Sequence, residues 1–312
     1  MTRPSAGWTN ETLLVRVADG SRFVVRLPPP LPTWPAYDLA TEAGVLRALA
    51  DSDVPVPRVL TFETDEKWFG TPFLVLSHEA GRPIGEVPAF DPWVADATPD
   101  DQRAVHAAFV RTLATLHRFD WRAATLDATL RGAETTLAVE VAHWRDYIEW
   151  ASDGAPARVL KEAAAWCAQT VPEREPAGSL CWGDPRLGNV MYHDDRTVAA
   201  VLDWEMASIG PAETDLAWYL ALDDLTFHFT HRRVPGFLTR AELITAYERT
   251  LGRTVVDLAW HEIFALVRST AINDRQARLA ALTGMAYPGV AGDDNPVLAY
   301  LSDQIDAFTG SL

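Results

Sequence analysis

Residues 180–205 read L-C-W-G-D-P-R-L-G-N-V-M-Y-H-D-D-R-T-V-A-A-V-L-D-W-E, and the rest of the chain is organised around them. Two short apolar runs, 190–193 and 198–202, flank the polar Asp194-Asp195-Arg196-Thr197. Apolar runs about a four-residue polar turn predict a β-hairpin. Counting outward from the turn sets His193 opposite Val198 and Val190 opposite Val201, with Asn189 beside Leu202 and Asp203. Asn189 and Asp203 therefore meet at the open end, and Asp184 lies on the loop feeding the first strand. Two acids and an amide at one point are oxygen donors of the kind Mg²⁺ takes together with substrate phosphates.

Working outward, the 312 residues are 48% hydrophobic and 22% charged, an ordinary globular balance with room for two cores or one lobed domain. The formal net charge of −16 argues against nucleic acid or an anionic membrane as partner. It is compatible with a cationic substrate, although acidity also serves solubility. The two cysteines are too few for a disulfide framework. No apolar leader opens the sequence and no run reaches the length of a membrane span, so a cytoplasmic location is expected.

Before the hairpin, residues 12–27 predict two strands about Asp19-Gly20, a strong turn pair. A proline-rich loop follows, then a helix over 38–50 with Asp38 as N-cap. Glu42 shares its apolar face with Val45, Leu46 and Leu49. An acid there needs a cationic partner, and Arg26 is the nearest candidate. Extended segments follow at 54–63 and 72–77, and a loop with two glycines and two prolines at 78–88. That loop divides a β-rich part, residues 1–78, from a helix-rich part, residues 79–312. Helices are expected over 98–117, with Thr98 and Pro99 opening the first, and over 136–151, 157–170, 212–222, 239–251, part of 259–282, and 296–308.

The motifs W-G-D-P-R-L-G-N and V-L-D-W-E, with G-P-A-E-T-D-L-A after them, resemble the aminoglycoside phosphotransferase-like and choline-kinase-like family of small-molecule kinases. G-W-T-N-E-T near the start and Y-D-L-A-T-E-A-G-V-L near residue 40 extend the resemblance. It implies an α+β, bilobal protein-kinase-like fold, with a small β-rich nucleotide lobe and a larger, mainly helical catalytic and substrate lobe. It also implies transfer of the γ-phosphoryl group of ATP, or GTP, to a hydroxyl of a small molecule. Asp184 would be the base, and Asn189 and Asp203 would hold Mg²⁺. Asp215 would brace the loop. Arg186 is a further catalytic candidate, able to meet a phosphate; a surface ion pair is the alternative.

Three departures stand out. Neither lysine, Lys67 nor Lys161, lies on the strand where kinases place one, so Arg26 would contact the phosphates with Glu42 as its partner. No G-x-G-x-x-G loop is present, so residues 7–12, including Asn10, would cover the nucleotide. Trp182 stands where many relatives carry histidine. Adenine would lie against the linker near Ser77 and Glu79.

The acceptor is expected to be a hydroxylated metabolite, such as a hydroxyacyl compound, in preference to an aminoglycoside. For the latter, Asp223, Asp224 and Glu213 would be ammonium partners. The competing readings are a catalytically weak or inactive nucleotide-binding protein of the same fold, and a metal-dependent hydrolase releasing phosphate without an acceptor. Oligomeric state is not legible in the sequence.

Overall fold

A computed structural model describes residues 11–29, 31–124, 126, 130, 136–173, 176–284, 287 and 289–310. β1 (Glu11–Arg16) and β2 (Arg22–Leu27) form the expected antiparallel hairpin, with Leu14 opposite Val24. After it comes α1 (Leu39–Leu49), whose N-cap Asp38 accepts the backbone N–H groups of Ala40 and Thr41. β3 (Val59–Glu63) and β4 (Phe73–Ser77) complete an antiparallel sheet in the order β1-β2-β4-β3. Val45, Leu46 and Leu49 of α1 and Leu74 and Leu76 of β4 are buried in one core. Each such side chain contributes roughly 1.5–3 kcal/mol by leaving water, enough to lock α1 onto the sheet. The lock carries Glu42 into the interior with them.

The larger part begins with β5 (Arg82–Pro83) and a short α2 (Pro92–Ala95). α3 (Pro99–Leu116) starts where the sequence places it, with the Thr98 side chain accepting from the Asp101 N–H. α4 (Leu137–Ala151) and α5 (Arg158–Gln169) lead to β6 (Ser179–Cys181). The central hairpin is β7 (Val190–Tyr192) and β8 (Val198–Val201), and β9 (Ser208–Gly210) pairs with β6. α6 (Ala212–Thr230), α7 (Arg240–Leu251), α8 (Leu258–Thr283) and α9 (Val297–Gly310) follow. α6 runs well past the expected end, and α8 is one continuous helix of 26 residues. No helix among the described residues is long and apolar enough to cross a membrane. This is the α+β arrangement of a small antiparallel sheet and a larger helical part.

α6 explains why the helical part is organised as it is. Leu216, Tyr219 and Leu220 face a core shared with α1, α3 and the hairpin. Trp218, Ala221 and Leu225 face a second core built by α4, α5, α8 and α9. A helix apolar on both sides is a buried helix.

In the hairpin, Val190 faces Val201 and the Leu202 N–H donates to the Asn189 carbonyl, as the count from the turn has it. Nearer the turn the count is off by one. A register irregularity after Met191 sets Tyr192 opposite Val198, and the His193 N–H donates to Thr197. Arg196 takes a left-handed φ of 71° and tightens the turn, and the extra residue is absorbed as a bulge.

Candidate active site

Asp184 sits on the loop between β6 and β7, against α6. Its Oδ1 accepts the indole N–H of Trp218 on α6 at 2.9 Å. Its Oδ2 accepts Asn189 Nδ2 at 2.8 Å and Arg186 Nε at 2.9 Å. Asn189 Nδ2 also donates to the Asp184 carbonyl at 3.1 Å. That pair of bonds fixes the amide, with its nitrogen turned to Asp184 and its oxygen left as a free acceptor among the described residues. Arg186 continues to Glu86, 2.5 Å away. The negative charge of Asp184, and then of Glu86, holds the Arg186 guanidinium above its ordinary pKa against the effect of burial.

Asp203, two residues past β8 at the hairpin's open end, lies in the left-handed region, at φ 63°. For a residue with a Cβ this costs about 1–2 kcal/mol, and aspartate tolerates it better than most. Two groups stabilise it there. The Trp182 indole donates to both the Leu202 and Asp203 carbonyls, at 2.8 and 3.0 Å. Arg26 Nη2 donates to Asp203 Oδ1 at 2.6 Å.

Arg26 is the centre of an acidic cluster. Its Nη1 donates to Glu42 Oε1 at 2.6 Å, and Glu205 Oε2 stands 3.9 Å from Nη2. Burial works against the Arg26 charge, but Glu42, Asp203 and Glu205 outweigh it and raise its pKa. Burial pushes the Glu42 carboxyl up to about 7, with Arg26 pulling the other way and Asp203 adding to the rise. Glu42 is 1% exposed, and its Oε2 has no hydrogen-bond partner among the described residues. The cationic partner that Glu42 required is thus Arg26.

Glu205 leads to a strap not legible in the sequence. Its Oε1 accepts the Trp34 indole N–H at 3.0 Å. The neighbouring backbone is fastened by Tyr147, which donates to the Thr33 carbonyl at 3.0 Å, and by Arg275, which donates to Pro32 at 3.2 Å. The proline-rich loop therefore reaches from the sheet onto α4 and α8.

Behind the loop, Asp215 is fully buried. It accepts the Trp182 N–H at 2.6 Å, the Gly183 N–H at 3.0 Å, and His117 Nε2 at 3.0 Å. His117 Nδ1 in turn meets the Tyr247 hydroxyl at 2.6 Å. Gly183 has φ +94°, and a Cβ there would lie 2.3 Å from the Met206 carbonyl, so only glycine fits. His117, Cys181 and Asp215 lie close enough together to suggest a metal cage. Their atoms are committed elsewhere: burial holds the Cys181 thiol well above its ordinary pKa, and Asp215 is saturated by the loop. The cluster is a brace.

Of the other expected residues, Ser77 accepts the Arg58 N–H at 2.7 Å and donates to Glu79, at the end of β4. Asn10 lies outside the described residues. The acids considered as ammonium partners already have arginines: Arg233 pairs with Asp223 and Asp224, and Arg253 with Glu213. Sequence reasoning missed His117, Glu86, Arg268 and the Trp34 strap. It also missed the bond of Trp218 to Asp184. A signal existed for Trp218, three residues after Asp215 on one helix.

The donor set fits a hard cation. An amide oxygen and a carboxylate oxygen, Asn189 Oδ1 and Asp203 Oδ2, have no hydrogen-bond partner among the described residues and belong to side chains brought to one end of the hairpin.

The sequence pattern of the phosphotransferase enzyme family matches residues 1–254. A probable acyl-CoA dehydrogenase, IBR3, of Arabidopsis thaliana is 28% identical over 291 residues, covering 85% of this chain. Human acyl-CoA dehydrogenase family member 11 is 29% identical over 275 residues, covering 84%. This chain spans 34% of the length of each. A solved structure, a putative aminoglycoside phosphotransferase from Ralstonia eutropha, superposes with a TM-score of 0.72 at 22% identity, covering 91% of this chain and 84% of that one. At that identity the likeness speaks for the fold. The chain belongs to the phosphotransferase enzyme family.

Proposed function

We propose that the protein transfers the γ-phosphoryl group of ATP, or GTP, to a hydroxyl of a small molecule. The observation that carries this is the convergence of Asp184, Asn189 and Asp203 on one end of a hairpin, with Arg26 reaching Asp203 from the sheet. Asp184 orients the acceptor hydroxyl and takes its proton, with its carboxylate pinned by Trp218, Asn189 and Arg186. Asn189 and Asp203 hold Mg²⁺, which, when bound, neutralises phosphate charge. Arg26 supplies a fixed positive charge toward the phosphates, oriented by Glu42. Arg186 meets the transferred group or an anionic part of the acceptor. Residues 1–78, with Asn10, Ser77 and Glu79, form the nucleotide side. The chemistry is mainly positioning and charge neutralisation.

The acceptor is a hydroxylated metabolite of the hydroxyacyl type. Two observations favour it over an aminoglycoside. Asp223, Asp224 and Glu213, the acids expected to meet ammonium groups, are paired with arginines. The relatives named above are called acyl-CoA dehydrogenases, and this chain matches about a third of each. A catalytically weak nucleotide-binding protein is the second reading, favoured by Arg26 where a lysine is usual and by its bond to Asp203.

Two measurements test this. Thermal melting with and without Mg²⁺-ATP or Mg²⁺-GTP reads binding. ADP or GDP release with a panel of hydroxyacyl compounds and aminoglycosides reads transfer. Release that depends on a hydroxyacyl acceptor and is lost in Asp184→Ala supports the reading. Nucleotide binding without turnover of any acceptor favours the second. Turnover of aminoglycosides alone overturns the acceptor assignment.

A further inference from the structure

Arg268, on α8, is 3% exposed, and among the described residues it has no carboxylate within ion-pair distance. Its Nη2 donates to the Gly183 carbonyl at 3.3 Å, while Nε and Nη1 are buried without a hydrogen-bond partner among the described residues. The guanidinium lies 4.8 Å from the centre of the Trp218 ring, 5.0 Å from that of Trp144 and 5.6 Å from that of Phe264. Burial lowers its pKa, and the more distant Glu140, Asp215, Cys181 and Asp184 act in the opposite sense.

A cation in this position is costly. One long hydrogen bond does not replace the water it loses, and an apolar side chain of similar volume fills such a space at less cost. The aromatic faces offset part of that. Packing alone therefore does not account for an arginine here. Two of its contacts, the Trp218 ring and the Gly183 carbonyl, lead to Asp184. Trp218, under the guanidinium, is the donor to Asp184 Oδ1. Gly183, whose carbonyl Arg268 binds, is joined to Asp184 by that same peptide. Asp215 anchors the N–H side of Gly183, and Arg268 anchors its carbonyl side.

We propose that Arg268 is a positioning residue for Asp184, setting its Oδ1 through the Trp218 indole and its backbone through the Gly183 carbonyl. The Trp218 ring can turn only if it leaves the cation, so the direction of its N–H toward Oδ1 is fixed from behind. Arg186 and Asn189 hold Oδ2 from the other side. The catalytic meaning rests on the reading of Asp184 as the group that meets the acceptor hydroxyl. The geometric part does not.

The test uses the full chain with ¹⁵N-labelled tryptophan indoles, the Trp218 signal being assigned with Trp218→Phe. In Arg268→Met the Trp218 indole N–H moves toward the solvent-like position and exchanges faster, and Arg268→Lys restores it in part. In parallel, hydrolysis of Mg²⁺-ATP, with water as acceptor, falls about 10²-fold in kcat in Arg268→Met at an unchanged KM for nucleotide, the size expected of a misplaced group. An unchanged Trp218 signal with unchanged kcat overturns the proposal, as does a loss seen only in KM. If Arg268→Met does not fold, Arg268→Gln, which keeps a donor for Gly183 without the charge, is read by the same criteria. If the wild-type protein neither binds nor hydrolyses nucleotide, the phosphotransfer reading fails, while the Trp218 signal still decides the positioning.

Discussion

Arg26 Nη2 and Asp203 Oδ1 are 2.6 Å apart across 177 positions of sequence. The bond ties the second strand of the sheet to the open end of the central hairpin. Arginine's planar fork makes this possible together with the Glu42 bond, since each terminal nitrogen serves a different carboxylate at fixed spacing. A lysine would present one compact charge to both.

Arg26→Ala is expected to lower stability by roughly 3–5 kcal/mol, because it leaves Glu42 buried and unpaired. Combining Arg26→Met with Glu42→Gln should recover most of that loss without recovering nucleotide affinity. Urea midpoints and nucleotide titration of the single and double variants check this. A double variant no more stable than Arg26→Ala would place the cost elsewhere.

Asp184→Asn keeps the shape of the side chain and removes the carboxylate. Acceptor-dependent ADP or GDP release should drop about 10³-fold, within the range of general-base losses, with nucleotide affinity nearly unchanged. Steady-state kinetics and calorimetric titration separate the two effects. A variant that keeps full turnover would remove Asp184 from the chemistry.

The brace behind the loop gives a third expectation. Asp215→Ala strips the acceptors from the Trp182 and Gly183 N–H groups, each worth roughly 1–3 kcal/mol when buried unmet. Gly183→Ala should also destabilise, since its Cβ would lie 2.3 Å from Met206 O in a left-handed backbone. Thermal melting tests both, and an unshifted melting temperature in either would contradict the geometry.

Acid should weaken the fold through His106. Burial, with Arg103 adding to it, lowers its pKa from 6.5 to about 3. Its Nδ1 accepts the Leu238 N–H and its Nε2 meets the Tyr219 hydroxyl, so a second proton would face a donor. The unfolded chain binds this proton below about 6.5 and the folded chain does not until about 3. Stability from this group is therefore complete above the unfolded value and falls as pH drops through that window. Chemical denaturation at pH 7 and pH 5 should show the loss, and His106→Gln should flatten the slope. A slope unchanged by that substitution would assign the acid sensitivity to other groups.

Much of the architecture was legible because its signals are local. Asp19-Gly20 marks the first hairpin, Asp38 and Thr98 cap α1 and α3, and the four-residue turn brings Asn189 to Leu202. Glu42 on an apolar face demanded a cation, and Arg26 was near enough in the chain to be named. The one-residue error at Tyr192 and the overrun of α6 have a common cause. A bulge and a helix end are set by what packs against them, here a tight turn at Arg196 and two cores meeting on α6.

By itself the sequence determined the strands of the two hairpins, the caps of α1 and α3 and the convergence of Asp184, Asn189 and Asp203, because spacing along a hairpin dictates which side chains meet; β5, β6 and β9 were not legible in it. Only the tertiary structure decided what stands behind them: His117 and Asp215 under the loop, Trp34 on Glu205, and Arg268 against Trp218. These partners lie far apart in the chain. A buried polar group requires a partner, but which distant residue supplies it depends on how helices and loops pack, and no spacing rule encodes that.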